Sequence, residues 1–183
     1  MKTILAVLAL TAHAPFDGLE LGYAAVSGAD RSGYRAVFRD GAVVFHSPAG
    51  RQVADADGRS PLGLGFEGLA DPVHPLPLWL PPAFRRIGSV VYDDGEGFKH
   101  DRGRLAYVLT STERWKGFDA LVLSYRYQGM QEQDNWALEA RYDAASGFLL
   151  SAFVETRLGR DPHTLFKLVL ATSTDAAMRK KLL

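Results

Sequence analysis

Ala120-Leu-Val-Leu-Ser-Tyr-Arg-Tyr127 and, after a polar interval, Trp136-Ala-Leu-Glu-Ala-Arg-Tyr142 are the stretches whose reading decides the fold. Large apolar residues recur in both at every second position: Leu121, Leu123, Tyr125 and Tyr127, then Trp136, Leu138, Ala140 and Tyr142. A period of two places each set on one face of a strand, and leaves Arg126, Glu139, Arg141 and, farther on, Glu155 on the water-facing side. Phe148 to Leu158 and Leu165 to Thr172 continue the pattern. Their link to Tyr142 is Asp143-Ala-Ala-Ser-Gly147, a tight turn in which Asp bonds the backbone ahead of it and Gly takes positive φ. Trp115 to Thr172 is therefore expected to be an antiparallel meander.

Toward the N-terminus, Ile87 to Tyr92 and Arg104 to Glu113 read as two more strands, separated by the charged bend from Asp93 to Gly103. Leu19 to Ser27 is a further strand, and Gly28 to Gly33 a turn after it. Tyr34 to Arg39 and Ala42 to His46, carrying the β-branched Val37, Val43 and Val44, flank Asp40-Gly41. That pair suits a type I′ hairpin, in which both central residues need positive φ. Between these groups, residues 47–82 are rich in proline and glycine and lack alternation. They read as an irregular segment covering the sheet, anchored by Leu76, Leu78, Trp79 and Leu80. At the far end, Thr174 or Asp175 caps a short helix over residues 175–183, with Arg179, Lys180 and Lys181 near its negative pole. The expected fold is all-β: a curved antiparallel sheet, a half-barrel of about eight strands, with a closed eight-stranded antiparallel barrel as the alternative.

A chain of 183 residues with 47% hydrophobic and 23% charged content buries a core without metal or disulfide help. Residues 15–183 are read as one β-rich domain. Twenty-one basic residues balance 21 acidic ones, so no net field recommends nucleic acid as a partner. Lys2, the apolar run Ile4 to Ala12 and Ala12-His-Ala14 have the form of a signal peptide over residues 1–14, too short to span a membrane. The expected address is extracytoplasmic, periplasmic or secreted. With no cysteine, thiol catalysis, iron–sulfur clusters and cysteine-ligated zinc are excluded.

No motif defines a reaction. Gly63-Leu-Gly65-Phe-Glu-Gly68 has the glycine spacing of a dinucleotide loop, but no strand pattern precedes it and Pro72, Pro75 and Pro77 oppose the helix that must follow. Asp55-Ala-Asp57 and Asp93-Asp94-Gly95-Glu96 lack the ligand spacing of a calcium loop and read as turns. His13, His46, His74, His100 and His163 form no preformed pair, and no GxSxG occurs. No catalytic residue, metal ligand or cofactor is therefore assigned. The candidate ligand-binding residues are the aromatics Trp79, Trp115, Tyr125, Tyr127, Trp136 and Tyr142, which line a cavity if the sheet curls and otherwise fill a core.

Leu78-Trp-Leu-Pro-Pro82, then Tyr142-Asp-Ala-Ala-Ser-Gly-Phe-Leu-Leu150 and Leu168-Val-Leu-Ala-Thr172, resemble a pattern in uncharacterised exported β-rich proteins of bacteria and archaea. In these a Trp-Pro segment precedes a meander ending in a YD-x-x-[ST]-G-x-L-L hairpin, and the likeness covers about half the chain. The architecture is similar to that of lipoprotein-carrier half-barrels, whose curved sheet holds acyl chains. With no recognisable nucleophile or metal-ligand set, a neutral charge balance and aromatics on one parity of a sheet long enough to curl, the expected function is an exported, non-enzymatic binding protein for an apolar small molecule or lipid, such as an isoprenoid. The alternatives are an exported hydrolase with a dispersed site and an envelope protein–protein interaction module.

Overall fold

The computed structural model describes residues 16–27, 29–40, 42–47, 50–54, 77–93, 106–127, 136–158 and 161–183. They form ten strands and one helix: β1 (Glu20–Ser27), β2 (Asp30–Arg39), β3 (Ala42–Ser47), β4 (Gly50–Ala54), β5 (Val90–Asp93), β6 (Ala106–Trp115), β7 (Phe118–Tyr127), β8 (Trp136–Asp143), β9 (Leu149–Leu158), β10 (Asp161–Ser173) and α1 (Ala176–Leu182). The strands make one antiparallel sheet in the order β4-β3-β2-β1-β10-β9-β8-β7-β6-β5, so β4 and β5 are its two edges. It is an open half-barrel rather than the closed barrel of the alternative reading.

The two alternating runs that decided the fold lie on β7 and β8, with Leu121 opposite Tyr142, Leu123 opposite Ala140, Tyr125 opposite Leu138 and Tyr127 opposite Trp136. The concave face continues through Ala152 and Val154 of β9, Phe166 and Leu168 of β10, Tyr23 and Ala25 of β1, Ala36 and Phe38 of β2 and Val43 and Phe45 of β3. Curvature is visible in one contact. In a flat sheet β2 and β9 lie three strands apart, about 14 Å at the usual spacing, yet the rings of Phe38 and Phe148, at the start of β9, are 5.2 Å apart.

The sheet differs from expectation at two places. β4 lies inside the segment read as irregular, because an edge strand such as Gly50-Arg-Gln-Val-Ala54 needs no buried face and shows no alternation. β2 begins at Asp30, so Arg31, Ser32 and Gly33 pair with Val26, Ala25 and Ala24 instead of forming a turn.

The covering segment closes one end of the half-barrel. Leu78, Trp79 and Leu80 are fully buried, and they dock on the β8–β9 turn through Leu80 N–H to Gly147 O (2.8 Å) and Leu149 N–H to Leu78 O (2.9 Å). Phe16 packs at a tilt against Phe148 (4.7 Å) and meets Trp79 edge-on (6.4 Å). Leu76 lies outside the described residues. In the turn itself the Asp143 carboxylate accepts from the Ser146 N–H (2.9 Å) and hydroxyl (2.6 Å), and Gly147 has φ +81°. At α1, Asp175 caps by accepting from Met178 N–H at 2.8 Å, and Met178 is buried.

Arg39 pairs with Ala42, which leaves a two-residue β2–β3 loop, and Asp40 in it has φ +51°. Gly41 lies outside the described residues. Asp40→Val is expected to destabilise the protein by about 1–2 kcal/mol, because a β-branched residue is poorly tolerated at positive φ, while Asp40→Asn stays within about 0.5 kcal/mol. Thermal melts of the two variants check this.

Candidate interaction site

Two sheet faces and two sheet edges are available to a ligand or partner, and the concave face holds most of the candidate aromatics. Trp79 and Tyr142 are fully buried there. The Trp79 indole N–H donates to Ser146 O at 2.8 Å, and the ring lies under the Arg85 guanidinium, 5.7 Å from its centre. Tyr125 is half-buried and meets Tyr107 edge-on at 5.3 Å. Tyr127 and Trp136 face each other in backbone register, and their side chains lie outside the described residues. Tyr107, Phe38, Phe45 and Phe148 are also fully buried, so the chain supplies its own packing over much of its interior.

Two of the core's phenols, Tyr23 and Tyr142, differ in their partners. Tyr23 donates to Leu149 O at 3.1 Å, whereas the enclosed hydroxyl of Tyr142 has no hydrogen-bond partner among the described residues. Burial pushes the pKa of Tyr23 up, and burial with the neighbouring Tyr23 and Tyr107 pushes that of Tyr142 well above the usual phenol value. In the unfolded chain both titrate near pH 10. Above that pH the unfolded state releases protons the folded state keeps, so the contribution is whole below about pH 10 and falls by about 1.4 kcal/mol per pH unit per tyrosine above it. Tyr23→Phe is expected to cost about 0.5–1.5 kcal/mol at pH 8, the worth of its hydrogen bond. Tyr142→Phe is expected to cost nothing or to stabilise, and to make the alkaline decline shallower. Urea melts at pH 8 and pH 11 check both.

On the outer face the structure places Trp115, not on the concave side with the other candidates. Leu109 pairs with Leu123 and Ser111 with Val122, so Thr110 is an extra residue that reverses the parity of β6 beyond it. Trp115 borders an open cleft of about 320 Å³ with Glu139, Arg141, Ser151, Phe153 and Lys167. The Arg141 guanidinium bonds Glu113 through Nε and Glu139 through Nη2, the latter at 2.6 Å. Burial draws its pKa down, but the two carboxylates more than offset this and hold it above the usual value. This face is thus not purely a solvated surface: Arg141 is half-buried, and Ser151 is buried with no partner for its hydroxyl among the described residues.

The edges differ in character. Beside β5, three large apolar side chains stand in water: Phe84 (41% exposed), Ile87 (58%) and Val90 (43%). A single 3-10 turn, Pro82–Phe84, leads into this stretch, started by the proline's fixed φ. Arg85 holds the stretch in place, donating to Leu80 O (2.8 Å) and Ala145 O (2.5 Å). Burial lowers its pKa, with Asp143 opposing the shift. Arg86 is exposed and has no side-chain partner among the described residues. The trio escaped the sequence reading because Ile87 and Val90 were absorbed into an expected strand, and Phe84 lies between that strand and the covering segment, in neither.

Gly63 to Gly68, Asp55, Asp57, Asp94 to Glu96, His13, His74 and His100 lie outside the described residues, as does the His163 side chain. His46 is exposed on β3. Among the described residues no group of three or more His, Asp or Glu side chains is placed to hold a metal, and no helix is long and apolar enough to cross a membrane.

No protein-family model and no curated protein matches the chain. Two solved structures are similar to it. One is MucB in complex with MucA(peri), 19% identical, covering 85% of this chain and 48% of that one with a TM-score of 0.40. The other is the MucA/MucB complex of Pseudomonas aeruginosa, 18% identical, covering 95% of this chain and 58% of that one with a TM-score of 0.42. The chain spans about half the length of these matched structures.

Proposed function

We propose that this chain is an extracytoplasmic, non-enzymatic module for binding another protein. The observation that supports it most directly is the trio Phe84, Ile87 and Val90, held in water at an open sheet edge. Exposed apolar residues grouped at one place mark interaction surfaces more often than scattered ones do. The concave face adds support: Trp79 and Tyr142, two of the residues expected to touch an apolar ligand, are enclosed by the protein's own side chains. The leader-like residues 1–14 favour a location outside the cytoplasm.

A photo-crosslinking residue at Ile87, with one at the exposed Ser124 as control, tests the reading in the native host. Adducts to a protein from position 87 and not from 124 are the expected result. Absence of any adduct, together with a stoichiometric lipid in organic extracts of natively purified protein, would overturn it in favour of the carrier.

A further inference from the structure

We propose that β5 takes up an extended segment of the partner as an eleventh strand, and that this segment carries a carboxylate beside Arg86 and apolar side chains against Ile87 and Val90. The inference rests on the interaction reading above and gives it a mode and a chemistry. Its first basis is the backbone. The Ser89 carbonyl accepts from Leu109 N–H at 3.0 Å, and Gly88 N–H donates to Leu109 O at 2.8 Å. In an antiparallel ladder hydrogen-bonded and non-hydrogen-bonded positions alternate, so the next pair, Val90 with Val108, is of the second kind. The N–H and C=O of Val90 therefore point away from β6, toward the side of the sheet where no further strand lies among the described residues. Only an extended chain presents donors and acceptors at the spacing such an edge demands.

The side chains select which extended chain. Val91 is buried against the core while Val90 is exposed, so β5 shows the incoming segment an apolar surface on the outer side. No charged residue interrupts Ile87 to Tyr92, in contrast to β4, where Arg51 stands exposed on the opposite edge. Charged side chains on an edge discourage pairing, and β5 carries none before its last residue, Asp93. Among the described side chains of this stretch, the exposed Arg86, one residue before Ile87, is a charge without a side-chain partner, and its complement is an acidic side chain. Arg85, by contrast, is committed to the carbonyls of Leu80 and Ala145, which fixes the platform without competing for the ligand.

The test uses the full chain and a defined probe: a capped octapeptide of alternating valine and threonine with one central glutamate, and its lysine analogue. Amide shifts in ¹H–¹⁵N spectra are expected at Val90 to Asp93, with the lysine peptide binding about tenfold more weakly. Arg86→Glu should reverse the preference between the peptides, and Val90→Pro should abolish binding by removing the outward N–H. Melting curves accompany both variants; Arg86 is exposed, so Arg86→Glu keeps the test decisive if Val90→Pro does not fold. Equal affinity for the two peptides, shifts confined to β4 or to the cleft around Arg141, or no binding at millimolar peptide would overturn strand addition. So would self-association through β5, seen as concentration-dependent mass. If Ile87 adducts to a protein persist in Arg86→Glu and Val90→Pro, strand addition fails while the interaction reading stands; if no adduct forms, that reading fails as well.

Discussion

Gly147→Ala is expected to release the covering segment from the end of the half-barrel and to cost about 2–4 kcal/mol of stability. Two effects coincide at this position. Its φ of +81° is left-handed backbone, where a side chain is strained, and a Cβ there would lie 2.3 Å from Leu80 O and 2.6 Å from Arg85 Nε. The first obstacle is backbone and cannot rotate aside. The second is the guanidinium that holds Leu80 and Ala145 together, so moving it removes two hydrogen bonds. Trypsin gives the direct readout: Arg85 and Arg86 should become cleavable in the variant under conditions where the parent protein resists. A variant with parent stability and parent resistance would show that the segment is held from elsewhere.

Trp79→Ala is expected to cost about 3–5 kcal/mol, whereas Trp115→Ala costs about 1 kcal/mol. The two tryptophans had equal standing as candidates in the sequence. Trp79 is fully buried, bonds Ser146 O and bridges in β fashion to Phe148, so its loss opens a cavity and orphans a carbonyl. Trp115 is half-buried beside the outer cleft, with the Lys116 ammonium 5.0 Å from its ring centre, and solvent can fill the space it leaves. Equal losses in urea melts would contradict this assignment of the two faces.

The meander was legible because its strands bury one face and alternation is the direct trace of that. The Asp143 to Gly147 turn was legible for a different reason: its Asp and Gly are demanded by local geometry that tertiary context does not alter. Lys116-Gly117 was harder to see. It closes the β6–β7 hairpin with Lys116 at φ +44° and Gly117 at φ +79°, but lysine is not among the residues that advertise such a turn. The side of the sheet on which Trp115 emerges was unreadable, since one extra residue at Thr110 reverses parity and leaves no compositional mark. The exposed trio was hidden for a related reason. Hydrophobicity alone does not say whether Phe84, Ile87 and Val90 are covered, because that depends on which strand becomes an edge.

The strand order has a kinetic side. Every pairing but one joins strands that are neighbours in sequence; the exception, β1 with β10, joins segments at opposite ends of the described chain. A hairpin closes over a few residues, whereas this seam waits until two preformed meanders, β1–β4 and β5–β10, meet. A circular permutant that begins at β5, runs through β10 and continues by a short linker into β1 would make the seam one more hairpin. The same ten-strand sheet would then be a simple meander from edge to edge, with the slowest closure replaced by a local one and the covering segment freed from the need to connect β4 to β5.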